Sequence, residues 1–151
     1  MTDKKIIEEN KLIAEFMEYE QEDKDSNFIT DHLVCLKEEY WNSTEDDWTN
    51  SLSPSEMKFH SSWDWLMPVV DKIEEISFTD DNIKSEYVPY TKHPFTIDMS
   101  YNYAKVKVDN DFKIENLRED GINFKIHRGS KINACYEAVV EFIKWYNKLN
   151  V

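Results

Sequence analysis

The chain has 151 residues, 40% apolar and 14% aromatic, with 31 acidic against 18 basic side chains and a formal net charge of −13. Such a length is one domain's worth and buries roughly two thirds of the extended chain's surface, so a single domain over 1–151 is expected. Direct nucleic-acid binding is not expected, because phosphate contacts need cations; the aromatic content argues against disorder, and Gly 2 and Pro 4 exclude collagen-like and linker-rich chains.

The first segment, roughly Ile6 to Tyr19, reads as a helix, with Leu12, Ile13, Phe16 and Met17 as its apolar patch. It fades into Tyr19-Glu20-Gln21-Glu22-Asp23-Lys24-Asp25, a polar loop. Between Phe28 and Leu36, Thr30 can cap a short helix, or His32 to Leu36 can form a strand; helix or irregular structure is the expectation. Residues 37 to 56 show no period, and Ser53-Pro54-Ser55-Glu56 closes them with a turn.

Leu66, Val69, Val70, Ile73 and Ile76 then recur at helical spacing, with Asp71, Lys72, Glu74 and Glu75 on the other face. Ser61-Ser62-Trp63-Asp64 supplies an S-x-x-[DE] start, where a serine oxygen accepts a backbone N–H. Pro68 costs one early helix bond. Phe78 begins a short strand, and 83–94 reads as loop with an extended piece around Tyr87-Val88. Phe95, Ile97, Met99 and Tyr101 alternate with polar residues, as do Ala104, Val106 and Val108. Asp109-Asn110-Asp111 offers turn chemistry with Phe112-Lys113-Ile114 pairing back, and Ile122, Phe124 and Ile126 form a further alternating run. Ser130 opens a long final helix whose stripe (Ile132, Tyr136, Val139, Val140, Ile143, Tyr146) is widened by Ala134, Cys135, Ala138, Phe142 and Trp145. A stripe that broad implies burial on more than one side. Strands grouped between helices predict an α+β fold: a mostly antiparallel sheet at about residues 95–126, packed by the central and C-terminal amphipathic helices, with the N-terminal helix nearby.

Chemistry-bearing patterns are sparse. His32-Leu33-Val34-Cys35 has the spacing of half a metal site, but His60, His93 and His127 are scattered and Cys135 stands alone, so no metal is assigned. The two cysteines lie far apart and are expected as reduced, mostly buried thiols. Asp46-Asp47, Glu74-Glu75 and Asp80-Asp81 are neighbours that point different ways on a helix, which is no basis for two-carboxylate chemistry. Gly121 and Gly129 are the only glycines, which removes phosphate-loop fingerprints. No catalytic residue and no cofactor follow. Trp63 and Trp65 are expected in the core, the alternative being the wall of a small-ligand or nucleotide pocket. Tyr40, Trp41 and Trp48 differ, because they sit among Glu38, Glu39, Glu45, Asp46 and Asp47 in an aperiodic stretch. Aromatics among acids have the composition of a binding hot spot for a basic protein surface. The other reading is that Trp41 and Trp48 fold back onto the core.

Three blocks, NKLIAEFM, FHSSWDWLMPVVDKIEEI and SKINACYEAVVEFIKWYN, resemble in order and spacing small phage and prophage proteins of uncharacterised function, common in Bacteroidota. They resemble more loosely the phage domain described as an α-β-α sandwich. No site residues carry over; the resemblance implies a phage setting and a fold. Combined with the acidic balance, it makes the expectation an interaction protein that inhibits a host defence nuclease, in the manner of an anti-CRISPR, through Tyr40, Trp41, Glu45, Asp46, Asp47 and Trp48. The alternatives are the small-ligand protein or enzyme with a pocket near Trp63 and Trp65, and an accessory factor in phage replication or assembly. Without a membrane-length apolar run or a signal-like stretch after Met1-Thr2-Asp3-Lys4-Lys5, no membrane partner is expected and the location expected is the bacterial cytoplasm.

Overall fold

A computed structural model of the chain describes residues 2–21, 28–29, 51–76, 78–79, 91–93, 95–108 and 125–149. Among them the order is α1 (Asp3–Phe16), β1 (Glu20–Gln21), β2 (Phe28–Ile29), β3 (Ser51–Leu52), α2 (Trp63–Glu75), β4 (Phe78–Thr79), β5 (Thr91–Lys92), β6 (Phe95–Ser100), β7 (Tyr103–Val108), β8 (Lys125–His127) and α3 (Lys131–Leu149). All described strand pairs are antiparallel, in the orders β1-β2-β3, β4-β5 and β6-β7-β8. The fold is α+β, with helices packed on the sheet as the strand grouping predicts.

The third helix is the hub. It touches α1, α2 and all three strands of the β6-β7-β8 sheet. Ala134, Cys135, Tyr136, Ala138, Val139, Val140, Phe142 and Ile143 are all buried, so consecutive positions face apolar neighbours around most of the helix. Its start is set by Ser130, whose Oγ accepts the Asn133 N–H at 3.3 Å while its carbonyl accepts the Ala134 N–H. Against the sheet, Phe142 meets Phe95 edge-on at 4.9 Å, and on the other side it stacks with Tyr146, which in turn meets Phe16 of α1.

The sheet follows the period-two pattern. Register pairs Phe95 with Val108, Ile97 with Val106 and Met99 with Ala104, and Phe95, Ile97, Ala104 and Val106 are buried. The opposite face sets Thr96 against Lys107 and Asp98 against Lys105, and Asp98 forms an ion pair with Lys107. Tyr101 and Asn102 make the turn between β6 and β7, tighter than the alternation through Tyr101 suggests. On its other edge β6 is covered by α2, where Glu74 Oε1 accepts the Ile97 N–H at 2.8 Å.

Helix α2 buries Trp65, Leu66, Val69, Val70 and Ile73; Ile76, the last residue of the expected stripe, is the C-cap and only partly buried. It runs unbroken through Pro68. Its start departs from the expected capping motif: Ser62 is the N-cap, and its side chain makes no capping bond. The Ser61 and Ser62 N–H groups both donate to the Lys58 carbonyl, and this turn over 58–62 sets the entry instead.

Helix α1 begins and ends earlier than the apolar patch suggests. It stops at Phe16 because Glu18 takes the left-handed conformation, φ 58. There the Tyr19 N–H donates to the Ala14 carbonyl and the Glu18 N–H to the Glu15 carbonyl, a Schellman closure with glutamate where glycine is usual. Glu18 compensates through Lys72 of α2, at 2.8 Å. Beyond it, Glu20–Gln21 and Phe28–Ile29 are short strands rather than the loop and the helical or irregular segment expected. A two-residue strand leaves no period to read; it exists because its partners supply the ladder. Thr91–Lys92 is extended for the same reason. The turn expected at 109–111, the strand at 112–114 and the extended piece at 87–88 lie outside the described residues.

One buried amide joins three elements. Asn10, fully buried on α1, donates through Nδ2 to the Pro54 and Met57 carbonyls, each at 2.9 Å, and its Oδ1 accepts from the Tyr136 hydroxyl of α3 at 3.3 Å. Asn10→Ala strands two carbonyls and a hydroxyl in an apolar interior, and is expected to cost about 2–4 kcal/mol. Urea unfolding followed by circular dichroism measures this; a change below about 1 kcal/mol would mean that the amide is not the tie described.

Candidate functional site

Two clefts among the described residues carry polar chemistry. The first has a volume of about 450 Å³ and is lined by Lys5 and Ile6 of α1, His60, Arg128 and Gly129, and Asn133 and Glu137 of α3. Helices α1 and α3 lie side by side in the same direction, as the contacts of Asn10 with Tyr136 and Phe16 with Tyr146 show. Both N-termini therefore open at one end, and the turn before α2 brings His60 beside them.

Each charged group here has a partner. Arg128 forms an ion pair with Glu137, which holds the guanidinium pKa above its ordinary value. Lys5 Nζ lies 3.7 Å from Glu9 Oε1, and Lys144 of α3 shares that oxygen at 3.6 Å. Glu9 is only 5% exposed, and its Oε2 has no hydrogen-bond partner among the described residues. Tyr136 stands against this pair; burial first, then the Glu9 carboxylate, pushes its hydroxyl pKa far upward. His60 packs edge-on against the Tyr136 ring at 6.1 Å. Its Nδ1 is buried without a partner among the described residues, and burial lowers its pKa below 6.5. The cleft thus offers donors and positive charge. Among the described residues its wall holds no serine, threonine or cysteine: Cys135 is buried elsewhere in α3, where desolvation pushes its thiol up to about 12.

The second cleft is an open hollow of about 340 Å³ at the C-terminal end of α2, lined by Asp71, Glu74, Glu75 and His93. Glu74 is committed to the Ile97 amide, whereas Asp71 and Glu75 are exposed. His93 Nδ1 lies 3.1 Å from the Glu75 carbonyl oxygen, so its N–H donates there and the ring seats itself at the helix end. Carboxylates and a helix C-terminus add negative potential in one place, which suits a lysine or arginine side chain. Among the described residues no group of three metal-ligating side chains is placed to hold an ion.

Of the residues singled out in the sequence, Tyr40, Trp41, Glu45, Asp46, Asp47 and Trp48 lie outside the described residues, as do His32 and Cys35. Trp65 is core, 2% exposed and edge-on to Phe59 at 5.2 Å; Trp63 is half-buried against the same core. Neither lines either cleft. The first cleft had almost no signal in the chain. His127 and Arg128 stand out as basic before Gly129, but nothing in their spacing connects them with Lys5 or His60.

The chain matches no protein-family model, no curated protein and no solved structure. No helix among the described residues is long and apolar enough to cross a membrane.

The lowered pKa of His60 fixes the sign of a pH effect. The unfolded chain, with an ordinary histidine pKa of about 6.5, takes up the proton more readily than the folded one. This contribution to stability is complete above that value and is lost as pH falls through the folded pKa. Relative to His60→Gln, the urea midpoint of the wild type should therefore fall as pH drops below 6.5. A difference that stays constant across that window would show that His60 titrates normally.

Proposed function

We propose that this protein is an acidic interaction protein of phage or prophage origin that binds a basic surface of a host defence nuclease in the bacterial cytoplasm and blocks it by occupation. The observation that carries the reading is the excess of 13 negative charges, part of it gathered in the hollow where Asp71 and Glu75 stand exposed at the end of α2. A groove built to hold a nucleic-acid backbone presents Lys and Arg side chains, and carboxylates can occupy the positions of phosphates. The acids would speed encounter and make it salt-sensitive, and buried aromatics would hold the complex once formed. Tyr40, Trp41 and Trp48, with Glu45, Asp46 and Asp47, are the proposed contact segment. The resemblance of the three helical blocks to phage proteins supports the setting. A replication or assembly factor would use the same acidic surface on a different partner.

The test is inhibition of purified nucleases, a CRISPR effector and a restriction endonuclease among them, by the full chain at rising salt. Inhibition that weakens steeply with salt, with nucleic acid displaced from the enzyme, is the expected result. Asp71→Lys with Glu75→Lys should weaken it through charge, by about 1 kcal/mol or less per exposed site. Trp41→Ala or Trp48→Ala should cost about 2 kcal/mol or more, and more than Asp46→Asn, with the melting temperature little changed. Full inhibition by the tryptophan variants, or their unfolding, removes these residues from the interface. No inhibition of any nuclease at stoichiometric excess, alongside tight binding to a replication or packaging protein, would transfer the reading to the accessory class.

A further inference from the structure

We propose that the cleft at the paired N-terminal ends of α1 and α3 is a binding site for a small molecule bearing a single oxyanion group, phosphate or carboxylate. Its lining carries two cations, Lys5 and Arg128, against one carboxylate, Glu137, in a chain whose overall charge is strongly negative. Glu137 is held by Arg128. The Lys5 counter-ion, Glu9, is not part of the wall, and its single paired oxygen is divided between Lys5 and Lys144. Lys144 has a closer partner in Glu141, at 2.9 Å. Lys5 pairs with Glu9 at 3.7 Å, longer than a hydrogen bond, and its side chain is half exposed, so its N–H donors are open to a ligand on the cleft side.

Polar and apolar groups around it complete a binding surface rather than a mere charge. His60 contributes a neutral ring at working pH. Its Nδ1 is buried with no hydrogen-bond partner among the described residues, and the tautomer protonated at Nε2 would be a donor. Asn133 adds an exposed amide, and Ile6 an apolar patch for the body of a ligand. At Gly129 a Cβ would meet nothing within 4 Å, so backbone and ligand can approach closely there. The volume, about 450 Å³, falls in the range of small-molecule sites.

Beyond the cleft, a nucleic-acid strand would meet a chain whose overall charge is −13, which disfavours a long polyanion. The ligand must therefore be small enough to sit within the cleft. This site is independent of the acidic surface proposed for the protein partner, and neither depends on the other.

Inorganic phosphate is the probe, titrated into the isotope-labelled full chain at low ionic strength and followed by amide chemical shifts, with sodium chloride as the ionic-strength control. The expected result is a saturable shift centred on the Gly129, Lys131 and Asn133 amides, at about millimolar affinity for so small a probe. Lys5→Gln should weaken it about five- to tenfold, the worth of one charge-assisted contact. Gly129→Leu, at a position with open space and no positive φ, should abolish it while leaving the melting temperature near that of the wild type. Shifts that fail to saturate, that chloride reproduces, or that persist unchanged in Lys5→Gln would overturn the proposal. If Gly129→Leu does not fold, Lys5→Gln decides the matter alone, because its side chain is half exposed on the first turns of α1.

Discussion

The tie at Asn10 is what the rest of the arrangement depends on. Three hydrogen bonds from one buried amide fix α1 against α3 and lock the turn at Pro54 and Met57 onto both. An apolar residue at that position would bury as well, but hydrophobic contact is not directional and would let α1 slide along α3. The amide sets the register. With the register set, Phe16 reaches Tyr146, Glu9 lands between Lys5 and Lys144, and the two helix N-termini come level. The turn it holds leads through Phe59 into His60 and α2, so the cleft and the central helix both inherit their positions from the same contact.

Charge is partitioned rather than spread. The C-terminal end of α2 gathers Asp71 and Glu75 where the helix already presents carbonyl oxygens. The N-terminal ends of α1 and α3 gather Lys5 and Arg128 where the helices present N–H groups. Lys72 in the last turn of α2 and Asp3 in the first turn of α1 offset these charges in part, so each end combines like and opposite signs. Side chains placed to neutralise a helix end would have the opposite sign, and placing like charges together costs stability.

The parts of the fold that were legible in the chain are those with a sustained period. Leu66, Val69, Val70 and Ile73 mark α2, the broad stripe after Ser130 marks a helix buried on several sides, and Phe95, Ile97, Ala104 and Val106 mark the sheet. Asn10 could not be found this way, because a polar residue in an amphipathic pattern reads as exposed. The two-residue strands, such as Glu20–Gln21 and Phe28–Ile29, are made by their partners, and the end of α1 is set by a left-handed glutamate where glycine would have announced it. The serine motif before α2 was legible but misleading, since the turn onto Lys58 had already oriented the chain. The cleft draws on His60, Arg128 and the first turns of two helices, and only the fold brings them within reach of each other. The acidic aromatic segment around Trp41 is a compositional signal, and it remains one.

The bond from Glu74 to the Ile97 amide has a meaning for the protein's life at high concentration. Among the described residues strand β6 lies at the edge of its sheet and alternates apolar and polar residues, the pattern an incoming strand from another molecule would pair with. A carboxylate laid over the middle of that edge fills the donor such a strand would need and sets a negative charge in its path. Helix α2 thereby acts as a guard against sheet-to-sheet aggregation as well as a wall of the core. A chain with 14% aromatic residues has particular need of such protection.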